Sequence, residues 1–225
     1  MRIAIASAVA LLMSSAVVAE TPQALQSEED RLSYTLGYQL GQRLAAEGIA
    51  INADLYSAAL REGLQGAESR LSPQENQQVM ELFQQRGEER RQAASENNHA
   101  QGIAYLEENS TKPDITVLDN GLQYKVITQG EGDKPSATDT VKVHYRGVLI
   151  NGLEFDSSYS RNEPATFPVN RVIPGWTAIL QMMPVGSHYQ VTIPSELAYG
   201  ERGAPPMIGP NAVLVFDIEL LEIEK

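Results

Sequence analysis

The stretch that decides the fold is DTVKVHYRGVLINGLEFDSS, residues 139–158. In an extended chain Val141, Val143 and Tyr145 fall on one side, and Lys142, His144 and Arg146 on the other. A period of two with one apolar face is the pattern of a half-buried strand. The Asn151-Gly152 pair then predicts a two-residue hairpin into a second strand, LEFDSS. The same grammar extends to both sides. GLQYKVIT (121–128), ATFPV (165–169), HYQVTIP (188–194) and AVLVFDIELLEI (212–223) read as strands between clusters of Gly, Pro, Asn and Asp. In the last of these Leu214, Phe216, Ile218 and Leu220 share a face opposite Val213, Val215, Asp217 and Glu219. Only GWTAILQM (175–182) looks helical in this half. An antiparallel sheet with one apolar face must be covered, and the short helix starting near Trp176, the only tryptophan, is the candidate cover.

Upstream of residue 116 the period changes to that of helices. In EEDRLSYTLGYQLGQRLAAEG (28–48) Leu32, Leu36, Leu40 and Leu44 recur every fourth residue, and Gly37 and Gly41 flank that stripe. Two readings are open: the helix packs on its own neighbours, or the stripe is a self-association face on which the glycines let a second backbone come close. NADLYSAALREGL follows with Asn52 as N-cap. Then comes SPQENQQVMELFQQRGEERRQAASENNHAQGIAYLEEN, residues 72–109. Ser72 as N-cap, Pro73 behind it and Glu75 three residues on make a strong helix start, and no further proline occurs before Pro113. One helix of this length would span about 57 Å at 1.5 Å per residue. Its middle has almost nothing apolar to bury, which predicts a strut crossing solvent; the alternative is a break at Gly87.

The first nineteen residues, MRIAIASAVALLMSSAVVA, carry one charge at Arg2, a weakly apolar run and small residues at Val17 and Ala19. They predict a leader cleaved before Glu20, with a single anchor as the alternative that Ser14 and Ser15 weaken. Removing Arg2 with that leader takes the net charge from −12 to −13, which argues against nucleic acid and anionic membrane surfaces as partners. There is no cysteine, so the exported fold must stand on packing without disulfides.

Few residues carry chemistry by type. His99, His144 and His188 lie at no metal-ligand spacing and are expected on the surface, so neither a metal nor a cofactor is expected. No phosphate-cradling glycine loop and no nucleophile elbow occurs. What remains is a set of aromatics at strand ends and at the short helix: Tyr145, Phe155, Phe167, Trp176, Tyr199 and Phe216. They are either core or the lining of an apolar pocket with Asp156 and the Tyr199 hydroxyl as its polar groups, and pattern alone leaves both open.

The runs VKVHYRGVLINGLEFDSSYSRNEPATFPV, VIPGW (172–176), MPVGSHYQVTIPSELAYG and GPNAVLVFDIELLEI together resemble the FKBP family of peptidyl-prolyl cis–trans isomerases. LSYTLGYQLG, the long helix and LDNGLQYKVI are similar to its macrophage infectivity potentiator (Mip) branch, a group of exported bacterial dimers. The resemblance implies an α+β chain: an all-helical N-terminal dimerisation region at 20–71, a long linking helix at 72–115, and at 116–225 an FKBP-like antiparallel sheet wrapped on a short helix.

It also implies roles. Asp156, Tyr199, Tyr145 and Phe216 would serve catalysis, while Phe155, Arg161, Phe167, Val172, Ile173, Trp176 and Ile208 would bind substrate or the inhibitors tacrolimus and rapamycin. Trp176 would be the floor under a prolyl ring, Gly175 would let the chain turn to present it, and Ile173 would offer its backbone. Leu32, Leu36, Gly37, Leu40 and Gly41 would pair two chains into a homodimer, which would be V-shaped if the helix from Ser72 to Asn109 is a continuous strut. Ala165 and Ala204 stand where many eukaryotic relatives have an aromatic and a histidine, both expected at the rim. Proline-containing unfolded polypeptides would be the substrates and the periplasm the location, with the outer membrane or the medium as further destinations. The alternative function is a dimeric holdase for unfolded chains in which isomerisation is secondary.

Overall fold

The computed structural model describes residues 25–224; the leader expected over residues 1–19 lies outside them. The chain divides into two compact units after Ala50. The described part of the first is helix α1, Glu28–Ala46. Ser27 caps it in a reciprocal box with Asp30, three acidic residues sit in its first turn and Arg43 in its last, each matching the helix dipole. Nothing on α1 is buried: Leu32 and Leu36 are each 59% exposed, and the space beside Gly37 and Gly41 is open.

The second unit begins with α2, Ala53–Leu64, capped by the Asn52 side chain. Helix α3 follows as Pro73–Ser110, 38 residues without a break at Gly87. Ser72, Pro73 and Glu75 form the capping box and N1 proline that the sequence announces. The expectation of a strut crossing solvent needs correction. From Pro73 to Arg86 the helix is exposed, but from Arg91 onward it lies against the β-rich part. The contacts are made by Arg91, Ser95, Asn98, Gly102 and Asn109, residues that no search for an apolar stripe finds.

The remainder is an antiparallel sheet. Its strands are β1 (Thr116–Val117), β2 (Gln123–Thr128), β3 (Thr140–Leu149), β4 (Glu154–Ser157), β5 (Ala165–Pro168), β6 (His188–Ile193) and β7 (Leu214–Glu224). They lie in the order β1-β2-β6-β7-β3-β4, and β5 also pairs with β3. Between β5 and β6 the short helix α4, Pro174–Leu180, crosses the inner face. Val141, Val143, Leu214, Ile218 and Leu220 of the sheet meet Trp176, Ile179 and Leu180 of α4 in one core. Full burial of such side chains is worth roughly 1.5–3 kcal/mol each, which is what holds the sheet curled around the helix.

Three local expectations change. The Asn151-Gly152 hairpin is not a two-residue turn: Leu149 N donates to Leu153 O at 2.9 Å, so Ile150, Asn151 and Gly152 form a three-residue loop, with Gly152 at φ 86°. Asn151 keeps a negative φ and instead accepts from Leu153 N with its side chain. This is a type I turn closed by a glycine bulge. Val213 and Val215, placed on the wet face by alternation, are buried, and Val213 packs under Gly102 of α3. His144 and His188 are half-buried rather than on the surface; His144 stacks on Tyr159 at 4.8 Å and bonds Ser158 at 3.0 Å.

Candidate functional site

Helix α4 starts directly after an extended segment, and that junction creates the site. Val172 (φ −105°, ψ 176°) and Ile173 (φ −59°, ψ 149°) are extended, and Pro174 opens the helix where an N–H is not needed. The Ile173 carbonyl accepts from Trp176 N at 2.9 Å and Thr177 N at 3.1 Å. Its N–H has no acceptor among the described residues. Gly175 does not supply a turn, as it lies within α4 and is not among the glycines with positive φ. It supplies room, because a Cβ there would sit 2.5 Å from Ile193 Cγ2 and 3.2 Å from the Leu197 carbonyl. Close approach of α4 to β6 and the following turn requires the glycine.

Trp176 is thereby pressed against three rings, all edge on. Tyr145 lies at 5.3 Å and 86°, Phe167 at 5.7 Å and 86°, and Phe216 at 5.3 Å and 81°. Phe155 meets Phe216 in turn at 5.5 Å and 85°. Edge-to-face pairs at this range add about 0.5–1.5 kcal/mol each beyond burial, so the cluster is stiff. Gly147, in the middle of β3, makes the arrangement possible: a Cβ there would meet Phe155 Cζ at 2.5 Å and Phe216 Cε1 at 2.8 Å. A glycine inside a strand pattern is the signal that could have flagged this position.

Above the indole lies a cleft of about 700 Å³. Of the expected site residues, Tyr145, Phe155, Asp156, Phe167, Val172, Ile173, Trp176, Tyr199, Ile208 and Phe216 all line it. Arg161 does not; it stands behind Asp156. Ala204 lines the cleft, whereas Ala165 pairs with Val143 in the sheet and lies outside the lining. Sequence reasoning missed Arg171, Pro205, Pro206 and Met207 as lining, since they lie in a single 3-10 turn and a loop, both too short for a period to mark a face. The expected dimerisation residues Leu32, Leu36, Gly37, Leu40 and Gly41 all lie on α1 and belong to the other unit.

The polar part is a triangle. The Tyr145 hydroxyl donates to Asp156 Oδ2, Arg161 Nη1 donates to Asp156 Oδ1, and Arg161 Nη2 donates to the Tyr145 oxygen at 2.8 Å. Burial pushes the Asp156 carboxyl up, but the bonds from Tyr145 and Arg161 outweigh it and hold the group below the usual carboxylate range. Burial, reinforced by the bond to Asp156, pushes the Tyr145 phenol up, so it stays a donor. Burial first and the Asp156 charge second push Tyr199 up as well. The Tyr199 hydroxyl has no partner among the described residues, nor has the buried Trp176 Nε1. The cleft thus combines apolar walls, a carboxylate whose charge is matched by Arg161, and unclaimed donors at Tyr199 and Ile173. It presents nothing activated for covalent attack, and it fits a small apolar ring flanked by carbonyls.

The profile described as FKBP-type peptidyl-prolyl cis-trans isomerase matches residues 131–221. The profile described as the domain amino terminal to FKBP-type peptidyl-prolyl isomerase matches residues 29–126. The chain is 42% identical to the outer membrane protein MIP of Legionella longbeachae over 229 aligned residues, which cover 100% of this chain and 98% of that one. It is 44% identical to the FKBP-type 22 kDa peptidyl-prolyl cis-trans isomerase of Escherichia coli strain K12, over 87% of this chain and 95% of that one. The crystal structure of FkpA from Escherichia coli superposes with a TM-score of 0.64 at 35% identity, covering 89% of this chain and 99% of that one.

Proposed function

The chain belongs to the FKBP-type peptidyl-prolyl cis-trans isomerases, in the part of the family that holds the Mip and FkpA proteins, and from that premise we propose a division of labour among the residues of its cleft. The activity is acceleration of rotation about X-Pro bonds. An amide resists that rotation by about 18–20 kcal/mol because its C–N bond is partly double. Twisting the bond removes the resonance and lowers the charge separation, so a dry apolar cleft favours the twisted amide over the planar one.

On this reading the prolyl ring rests on Trp176, walled by Tyr145, Phe155, Phe167, Phe216, Val172 and Ile208. The free Ile173 N–H and the Tyr199 hydroxyl each hold a carbonyl flanking the ring. Asp156, kept ionised by Tyr145 and Arg161, faces the carbonyl that rotates away from its amide plane. A barrier lowered by about 4–7 kcal/mol gives about three to five decades of rate. The observation that carries the assignment is the Trp176 floor with three rings edge on and two unclaimed donors beside it. On the same reading tacrolimus and rapamycin compete for that floor. Titration of either compound followed by Trp176 fluorescence is the test: a saturable change is expected, and no change contradicts the assignment.

The whole chain has a further reading. Residues 20–71 pair two copies, 72–115 link, and 116–225 isomerise. Support for pairing comes from α1, where Tyr34 and Tyr38 stack at 5.9 Å beside the open backbone at Gly37 and Gly41, and Leu32 and Leu36 face water. Apolar surface of that kind is covered at a cost water repays. The relative from Legionella longbeachae is named an outer membrane protein, which supports export of this chain to the periplasm by its first nineteen residues. A holdase role beside isomerisation is favoured by exposed Leu55, Leu60, Val79, Met80 and Phe83 on α2 and α3, which offer apolar contact to unfolded chains. Aggregation assays on a client protein with Asp156→Leu separate the two: retained protection without isomerisation supports the holdase.

A further inference from the structure

The long helix is not only a link. One wall of the cleft is the segment from Tyr199 to Ile208, and it is tied to itself as a small hoop: Gly203 N donates to Tyr199 O at 3.1 Å, Ala204 and Ile208 exchange backbone bonds at 2.8 and 3.0 Å, and Asn211 N reaches Gly200 O at 2.8 Å. What holds the base of this hoop is α3. Asn98 Nδ2 donates to the Pro210 carbonyl at 2.8 Å, Asn211 Nδ2 donates to Ser95 Oγ at 2.8 Å, and Arg91 Nη2 donates to the Glu201 carbonyl at 3.2 Å. Arg91, Ser95, Asn98 and Gly102 follow one another at helical spacing on a single face.

Two glycines and one unusual backbone show that the fit is close. A Cβ on Gly209 would stand 2.9 Å from Asn98 Nδ2, and one on Gly102 would stand 2.8 Å from Val213 Cγ2. Asn211 holds φ 55°, a left-handed conformation that asparagine tolerates, and this turns its amide toward Ser95. The helix therefore meets the segment where it leaves the cleft, and the contact consists of directed hydrogen bonds.

We propose that Asn98 and Ser95 of α3 are positioning residues of the isomerase: they hold the Pro210–Asn211 base of the hoop and so set where Ala204, Met207 and Ile208 stand over the prolyl site. The proposal rests on the cleft being that site. On that reading the wall contacts the prolyl ring, which keeps its shape as the bond twists, so loosening the wall weakens binding and leaves the chemical step alone. By reciprocity, an occupied cleft steadies the hoop on the helix.

The test uses the full chain with four variants. Asn98→Ala removes the donor, and Asn98→Asp keeps the shape but, ionised, can only accept. Asn211→Gly keeps the positive φ and loses the bond to Ser95. Asn97→Ala, an exposed neighbour bonded only to Gln101, is the control. Steady-state isomerisation of a proline tetrapeptide gives KM and kcat, and amide hydrogen exchange reads Ala204 and Ile208 without substrate. Loss of one such bond is expected to raise KM about 3- to 10-fold with kcat within about twofold in the first three variants, and to speed exchange at Ala204 and Ile208 about tenfold. The control should match the wild type in every readout. Wild-type KM and wild-type exchange in both Asn98→Asp and Asn211→Gly would overturn the proposal, as would a fall in kcat at unchanged KM. If Asn98→Ala fails to fold, Asn98→Asp and Asn211→Gly carry the test. Asp156→Leu assayed alongside keeps the two readings apart: full activity in it removes the site assignment, whereas the exchange data test the tie between helix and wall independently.

Discussion

Trp176 of α4 and Phe216 of β7 meet edge to face at 5.3 Å and 81°, and each is only 4% exposed. The same two rings are core for the sheet and lining for the cleft. Core and site are one structure here, and that governs how each substitution should read.

Phe216→Ala should therefore lose stability as well as activity. Removing a buried phenylalanine costs about 3–5 kcal/mol, and a thermal melt should show it. Phe216→Leu keeps most of the volume and should cut kcat/KM with a far smaller change in melting. Equal melting temperatures for Phe216→Ala and wild type would show that the ring is not core.

Asp156→Leu should cut kcat/KM at least tenfold, about 1.4 kcal/mol, because Arg161 and the Tyr145 hydroxyl lose their acceptor and the cleft loses its charge. Asp156 is only half-buried, so the melting temperature should move little. Unchanged kinetics on a proline tetrapeptide would remove Asp156 from the site.

The pH profile follows from the same triangle. Asp156 is held below its ordinary 3.8, and Tyr145 and Tyr199 are held above 10.0, so no lining group with a resolved shift titrates between about pH 5 and 8. Activity should be flat across that window. Because the folded carboxyl is more acidic than the unfolded one, Asp156 stabilises the fold above its unfolded pKa, and that contribution disappears as pH falls through the lower folded value. Acid melts of wild type and Asp156→Asn should converge at low pH; a gap that widens there would reverse the sign.

Gly147→Ala should damage fold and site together, since the new methyl would overlap both Phe155 and Phe216. Overpacking of this kind costs about 1–3 kcal/mol. Near-ultraviolet circular dichroism should show the aromatic cluster displaced, and an unaltered spectrum would count against the close packing described.

Leu36→Glu should yield monomers if α1 pairs two chains, with kinetics on short peptides unchanged because the cleft belongs to the other unit. Light scattering on the eluting protein decides this. A wild type that elutes at the mass of one chain contradicts pairing.

Much of this was legible in the sequence. Period two placed Val141, Val143 and Tyr145 on the inner face, and Ser72-Pro73-Glu75 fixed the start of α3. The cleft residues came from resemblance, since Tyr145 and Phe216 as core and as lining give the same alternation. Close approach at the helices was not legible: Gly175 and Gly102 matter through atoms of Ile193, Leu197 and Val213, far away in the chain, whereas Gly147 carried a signal as a glycine inside a strand pattern. The docked face of α3 was hidden because Arg91, Ser95 and Asn98 bond to backbone carbonyls and a loop side chain, and such bonds leave no hydropathy signal.

The central claim is that the Trp176 cleft lowers the barrier to X-Pro rotation. Exchange spectroscopy on a proline tetrapeptide, with catalytic amounts of protein, measures the cis-to-trans rate directly. Wild type should raise the rate far above the uncatalysed exchange of tens to hundreds of seconds, and saturating tacrolimus should return it to that level. An uncatalysed rate with folded wild-type protein, or a catalysed rate that tacrolimus leaves untouched, would contradict the account.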